Sequence, residues 1–119
     1  MEVIGMYEKN GKTYSCPVEA TLDVIGGKWK PVILWMIRKK VMRFSELQKV
    51  IPEINSKTLT KQLRELEQDG IVLRTVYPEI PPRVEYSITE FGESLVPIIQ
   101  ALCSWGAKYL GTECQAKDD

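Results

Sequence analysis

Between positions 55 and 68 the chain carries Asn55, Ser56, Lys57, Thr58, Thr60, Lys61, Arg64 and Gln68. Amides, hydroxyls, ammonium groups and a guanidinium are the groups that hold phosphate oxygens and read base edges. Their spacing matters more than their number. Placed at 100° steps around a helix, Leu59, Leu63 and Leu66 form one narrow stripe, the pattern of a helix packed on a core. Lys57, Lys61, Arg64 and Gln68 then fall on the opposite side, with Thr58 and Thr60 flanking them. An isolated helix of this kind could equally be a solvated cationic face. Its neighbours along the chain decide between the two readings.

The spacing predicts the polar helix over residues 56–69, with Asn55 or Ser56 as its N-cap and Gly70 as its stop. A shorter helix is predicted over residues 45–51, capped by Ser45 and faced by Phe44, Leu47, Val50 and Ile51. Pro52 ends it, because proline lacks a backbone donor and restricts the residue before it. Residues 52–55 form the turn, with Ile54 plugging the angle between the helices. Two alternating strands follow, over residues 71–76 and 84–88, joined by Pro78-Glu79-Ile80-Pro81-Pro82. Arg83, at the base of that tip, either reaches a phosphate or the minor groove or pairs with Glu79 or Glu85. Helix, turn, basic helix and hairpin in this order make a winged helix-turn-helix. Such a unit sets one helix in the major groove of double-stranded DNA and a β-ribbon on the flanking backbone. The expected DNA-contacting residues are Ser45, Asn55, Ser56, Lys57, Thr58, Thr60, Lys61, Arg64 and Arg83.

The 119 residues suffice for one domain with a real core, and their formal net charge is zero. That neutrality hides a polarised chain. Residues 28–64 hold ten basic and two acidic side chains, a net +8, while the remainder carries −8. The basic block is the one that contains the helix-turn-helix, as a phosphate-binding footprint requires. There is no histidine, no phosphate-cradling glycine loop and no nucleophile–base set, so an enzyme reading has no residues to carry it and neither a metal nor a cofactor is expected. No apolar run approaches the roughly 20 residues of a membrane span, and the N-terminus lacks the build of a signal peptide. A cytoplasmic protein is expected, with its three cysteines as free thiols.

The expected fold class is therefore mainly α with a small β-hairpin wing (α+β), with additional N- and C-terminal helices for dimerisation. Residues 1–15 are read as a flexible arm, 16–110 as the winged domain with its terminal dimerisation helix, and 111–119 as a tail. Pro17 opens a helix over residues 18–25 that stops at Gly26-Gly27, and a second, mostly buried helix spans residues 29–39. A final helix runs from Thr89, its N-cap, to about Leu110, kinked by Pro97. Leu95, Ile98, Ile99, Leu102, Trp105 and Tyr109 supply more apolar surface than one small domain needs, and they are the expected homodimer interface. Two-fold pairing would place two recognition helices about 34 Å apart, suited to a palindromic operator.

Several segments together resemble one family. Gly27-Lys28-Trp29, Ile33-Leu34, Phe44-Ser45-Glu46-Leu47, Leu63-Arg64-Glu65-Leu66-Glu67, Asp69-Gly70-Ile71-Val72, the stretch from Tyr77 to Tyr86, Thr89 with Gly92, and Cys16-Pro17-Val18 are similar to the HxlR-type winged helix-turn-helix regulators. The resemblance implies a bacterial or archaeal transcription regulator related to the MarR type, acting as a dimer. It also implies, for some members, a response to electrophiles or oxidants through a cysteine just before the first helix, the position of Cys16. A thiol there faces the positive end of the helix dipole, which supports a nucleophilic thiolate. Cys103 reads as a small core residue and Cys114 as a tail cysteine, with either as an alternative resolving partner for Cys16. Two rival functions stay open. One is a small-molecule sensor with a pocket between the dimer helices lined by Trp29, Trp35 and Trp105. The other is a winged-helix module that binds protein.

Overall fold

The arrangement of apolar side chains explains most of the fold over residues 7–114, which the computed structural model describes. Helix α1 (Pro17–Ile25) starts at a proline, and α2 (Trp29–Ile37) buries Ile33, Leu34 and Ile37 completely. Strand β3 (Met42–Arg43) leads into α3 (Phe44–Val50), and α4 (Ser56–Gln68) follows after the turn. Strands β4 (Val72–Tyr77) and β5 (Arg83–Ile88) form the wing. Helices α5 (Glu90–Glu93) and α6 (Val96–Leu110) complete the order. The core gathers Ile33, Leu34 and Ile37 of α2, Leu47 of α3, Leu59, Leu63 and Leu66 of α4, with Ile25, Ile51, Ile54, Ile71, Tyr86 and Ile99 around them. This is a winged helix-turn-helix, mainly helical with a small antiparallel sheet.

The sheet has one strand more than the sequence reading supplied. β3 pairs antiparallel with β5, so β5 lies in the middle of the order β3-β5-β4. Tyr86 faces Met42 on one side and Arg74 on the other. Two residues are too short to carry a strand pattern, which is why β3 escaped the alternation test.

Residues 7–14 of the expected flexible arm instead form a hairpin, β1 (Tyr7–Lys9) and β2 (Lys12–Tyr14). Asn10 and Gly11 turn it, with φ of 54° and 82°. Those positive values suit Asn-Gly, the strongest short hairpin signal. The hairpin is tied to α1 at Asp23, which accepts from Tyr14 Oη at 2.7 Å and Lys12 Nζ at 3.0 Å. These two donors hold the Asp23 carboxyl below its ordinary range, Tyr14 first. Residues 1–6 and 115–119, which the arm and tail expectations also covered, lie outside the described residues.

Four further expectations need correction. Ser45 does not cap α3; the helix begins at Phe44, and the Arg43 backbone N–H donates to Glu46 Oε1 at 2.8 Å. The glutamate three residues into the segment takes the capping role. Helix α2 stops at Ile37 rather than 39, where Arg38 turns back to stack on Trp35 at 3.5 Å and to donate to the Trp35 carbonyl. The terminal helix is two helices, not one with a kink. Pro97 occupies the first turn of α6, where its missing N–H costs nothing. Thr89 does cap α5, accepting from Gly92 N at 2.8 Å, and its hydroxyl donates to Gly70 O at 2.7 Å, fastening α5 to the end of α4. Finally, Cys103 and Cys114 are joined in a disulfide, so only Cys16 is a free thiol. Cys103 is half-buried rather than a core residue.

Candidate nucleic-acid interface

The polar face of α4 is set by what lies behind it. Leu59, Leu63 and Leu66 are at most 1% exposed, so the helix cannot rotate without uncovering them, at roughly 1.5–3 kcal/mol per side chain. Its start is fixed by Asn55, whose Oδ1 accepts from Thr58 N at 2.8 Å. The Asn55 amide NH2, the Ser56 hydroxyl, Lys57, Lys61 and Arg64 are left facing solvent. Thr60 is also exposed, its hydroxyl donating to Ser56 O at 2.8 Å; Thr58 is half-buried under the cap. Lys57 and Arg64 carry no ion pair among the described residues, and Lys61 only skirts Glu65 at 4.0 Å. Ser45 is exposed in the first turn of α3.

One cation of the basic block is internal. Lys30 of α2 is 7% exposed and its Nζ lies 2.7 Å from Glu65 Oε1 on α4. The pair spans the two helices beside the leucine stripe and pins the rotation of α4 by charge as well as by apolar contact. Lys30 donates the hydrogen bond that holds the Glu65 carboxyl below its ordinary range, against the opposing effect of desolvation. Neither periodicity nor charge counting signals this pair, because Lys30 sits among apolar neighbours and Glu65 reads as one more exposed acid.

The wing holds its arginines in two different states. Arg83, expected to reach phosphate, is drawn into the wing itself. Its Nη2 lies 3.4 Å from Glu79 and its Nε 3.6 Å from Glu85, with the guanidinium 4.0 Å over the Tyr77 ring. Arg74, which the sequence reading passed over, is exposed on β4 with no ion pair among the described residues. At the tip, Ile80 is 99% exposed between prolines.

The expected dimer residues divide. Ile99 is buried in the chain's own core and Leu95 packs on that core. Ile98, Leu102, Trp105 and Tyr109 are 42–76% exposed, and Trp105 stacks on Tyr109 at 5.4 Å. Val18 and Leu22 of α1 are also more than half exposed. Trp29 and Trp35 pack against the core, and Trp105 is exposed on α6. Cys16 is exposed at the N-cap of α1, where its carbonyl accepts from Glu19 N at 2.9 Å.

Comparison with known proteins agrees with this geometry. The profile of the HxlR-like helix-turn-helix family matches residues 24–114. The uncharacterised helix-turn-helix-type transcriptional regulator YdeP of Bacillus subtilis strain 168 is 53% identical over 94 residues, covering 79% of this chain and 73% of that protein. The redox regulator HypR in its oxidised form superposes with a TM-score of 0.76 at 53% identity, over 78% of this chain and 96% of that one. Its reduced form gives 0.78 at 50% identity, over 80% and 94%. Among the described residues no helix is long and apolar enough to cross a membrane.

The Lys30–Glu65 pair yields a stability prediction. Glu65→Ala, which strands a buried ammonium, should lower unfolding free energy by about 1–3 kcal/mol, discounted because Glu65 is partly solvated. Glu65→Gln should cost less, since its amide oxygen still accepts from Lys30. Because the folded carboxyl titrates below its ordinary value near 4.5, its contribution is full above that value and is lost as pH falls through the lowered one. The wild-type advantage over Glu65→Gln in urea titrations should thus be flat at neutral pH and shrink in acid.

Proposed function

The chain belongs to the HxlR-like helix-turn-helix family of DNA-binding transcription regulators, and from that premise we propose that it binds a two-fold symmetric operator as a homodimer and responds to thiol oxidants through Cys16. The observation that carries the reading is the outward face of α4. Ser56, Lys57, Thr60, Lys61 and Arg64 are presented together on a helix whose far side is sealed by leucines. The first turn supplies short groups that reach base edges, and the cations farther along reach base edges or phosphates. Ser45 and the Asn55 amide add contacts where α3 and the turn approach the backbone. Arg74 is the wing cation available to a flanking phosphate, and Arg83 joins it on exchanging its carboxylate partners for one.

The apolar faces of α1 and α6 support the dimer. Val18, Leu22, Ile98, Leu102, Trp105 and Tyr109 are all solvent-exposed in the single chain, more large apolar surface than scattered exposure explains. Pairing each face with its copy closes the assembly and sets the two α4 helices about one DNA turn apart. Cys16 starts one of the helices in that seam. A bulky or charged adduct on its sulfur would shift α1, alter the spacing of the two α4 helices and loosen the DNA. Similarity to HypR, a redox regulator solved in oxidised and reduced forms, supports this assignment.

Gel-shift titration against a duplex selected from a random pool tests the DNA reading. Arg64→Ala or Lys61→Ala should weaken operator binding by about 1–3 kcal/mol where the side chain reads a base. A phosphate contact would weaken all sequences alike and flatten the salt dependence by about one unit of slope; unchanged binding in both variants would refute the α4 assignment. Trp105→Glu should sediment as a folded monomer and lose operator affinity, whereas a dimer of wild-type stability would exclude α6 from the seam. Cys16→Ser should bind the operator normally and stay bound under diamide, which releases the wild type.

A further inference from the structure

The geometry points to a second thiol redox site, separate from Cys16: Cys103 and Cys114 form a reversible dithiol–disulfide couple within one chain. The two sulfurs are bonded in the structure across a separation of 11 residues, with their Cα atoms 5.7 Å apart. What brings them together is the end of α6 rather than the bond. Gly111 adopts a left-handed conformation at φ 76°, which glycine takes without steric cost. Its N–H bonds to Lys108 O at 3.2 Å, and Thr112 N–H bonds to Ala107 O at 2.9 Å. This stop reverses the chain and lays residues 112–114 back along the helix. Gln100 Nε2 meets the returning segment 3.6 Å from Cys114 Sγ while contacting Ser104 Oγ at 3.3 Å. The backbone turn that juxtaposes the two cysteines needs no sulfur–sulfur bond, so the reduced thiols remain neighbours at high effective concentration.

The bond closes a short loop at the end of the described chain, and α6 is already docked on the core by Ile99. Both cysteines are only half-buried. A small disulfide can therefore reach them. With glutathione disulfide as the oxidant, one cysteine thiolate attacks a glutathione sulfur and expels one glutathione thiolate. The second cysteine then attacks the protein sulfur of the mixed disulfide and expels the other. One S–S bond is gained by the protein and one lost by glutathione, with two protons leaving the cysteine thiols and appearing on two glutathiones. The consequence concerns Cys16. Cys103 and Cys114 consume each other and are not its resolving partners, so within one chain a small thiol is what remains for Cys16 to pair with.

Peptide mapping of the reduced full-length protein, equilibrated in glutathione buffers, acid-quenched and alkylated, tests this. Trypsin cuts at Lys108 and so separates a peptide holding Cys103 from one holding Cys114, with Cys16 on a third. The expected result is a single linkage between the first two peptides, formed within one chain, with no bond from either to the Cys16 peptide. Cys16→Ser should form the same linkage at the same glutathione ratio. A bond from Cys16 to Cys103 or Cys114, full alkylation of both at the most oxidising ratio, or a tenfold shift of that ratio in Cys16→Ser would overturn the proposal. None of these outcomes depends on DNA binding.

Discussion

Burial of Leu59, Leu63 and Leu66 is the constraint on which the rest of the molecule depends. These side chains fix the rotation of α4 about its own axis, and a helix has only one rotation at which a leucine stripe is dry. Everything polar on the far side follows from that choice. The Lys30–Glu65 ion pair, 2.7 Å long, reinforces it with a directional contact that a sliding or rolling helix would break. Asn55 and the α5 cap at Thr89 hold the two ends. The cationic face is thus preorganised before any DNA arrives, which reduces the ordering cost at binding.

Charge is sorted along the chain by the same fold. The basic segment contributes one lysine to the interior and presents most of the others on α3, α4 and the loop before β3. Acidic side chains take on local tasks. Asp23 anchors the N-terminal hairpin, Glu46 caps α3, and Glu79 and Glu85 hold Arg83 inside the wing. A chain of zero net charge can therefore present a positive surface to phosphate without a strongly charged molecule's tendency to bind polyanions indiscriminately.

Much of this was legible in the sequence where a pattern repeats. Leucines three and four apart gave α4, Pro52 gave the turn, and alternation gave β4 and β5. What escaped was set by tertiary contact or by elements too short to repeat. β3 exists because Met42 and Arg43 find the free edge of β5. Lys30 is buried because Glu65 waits on another helix. Pro97 in sequence suggests a kink in a long helix, but the chain resolves the same steric conflict by stopping after α5 and restarting at α6. The hairpin at Asn10-Gly11 carried a readable turn signal that polar composition obscured. The bond between Cys103 and Cys114 depends on the left-handed stop at Gly111, which spacing alone does not reveal. Arg83 shows a further limit: its type suits phosphate, but its neighbours decide its state in the free protein.

The central claim is that the outward side of α4 enters the duplex. Brief acetylation of the protein, free and bound to a duplex selected from a random pool, reads this directly by peptide mass. Lys57 and Lys61 should become several-fold less reactive in the complex, while Lys9 and Lys108, on the hairpin and α6, keep their free reactivity. Lys57 and Lys61 reacting equally in both states, with protection confined to lysines elsewhere, would contradict the account.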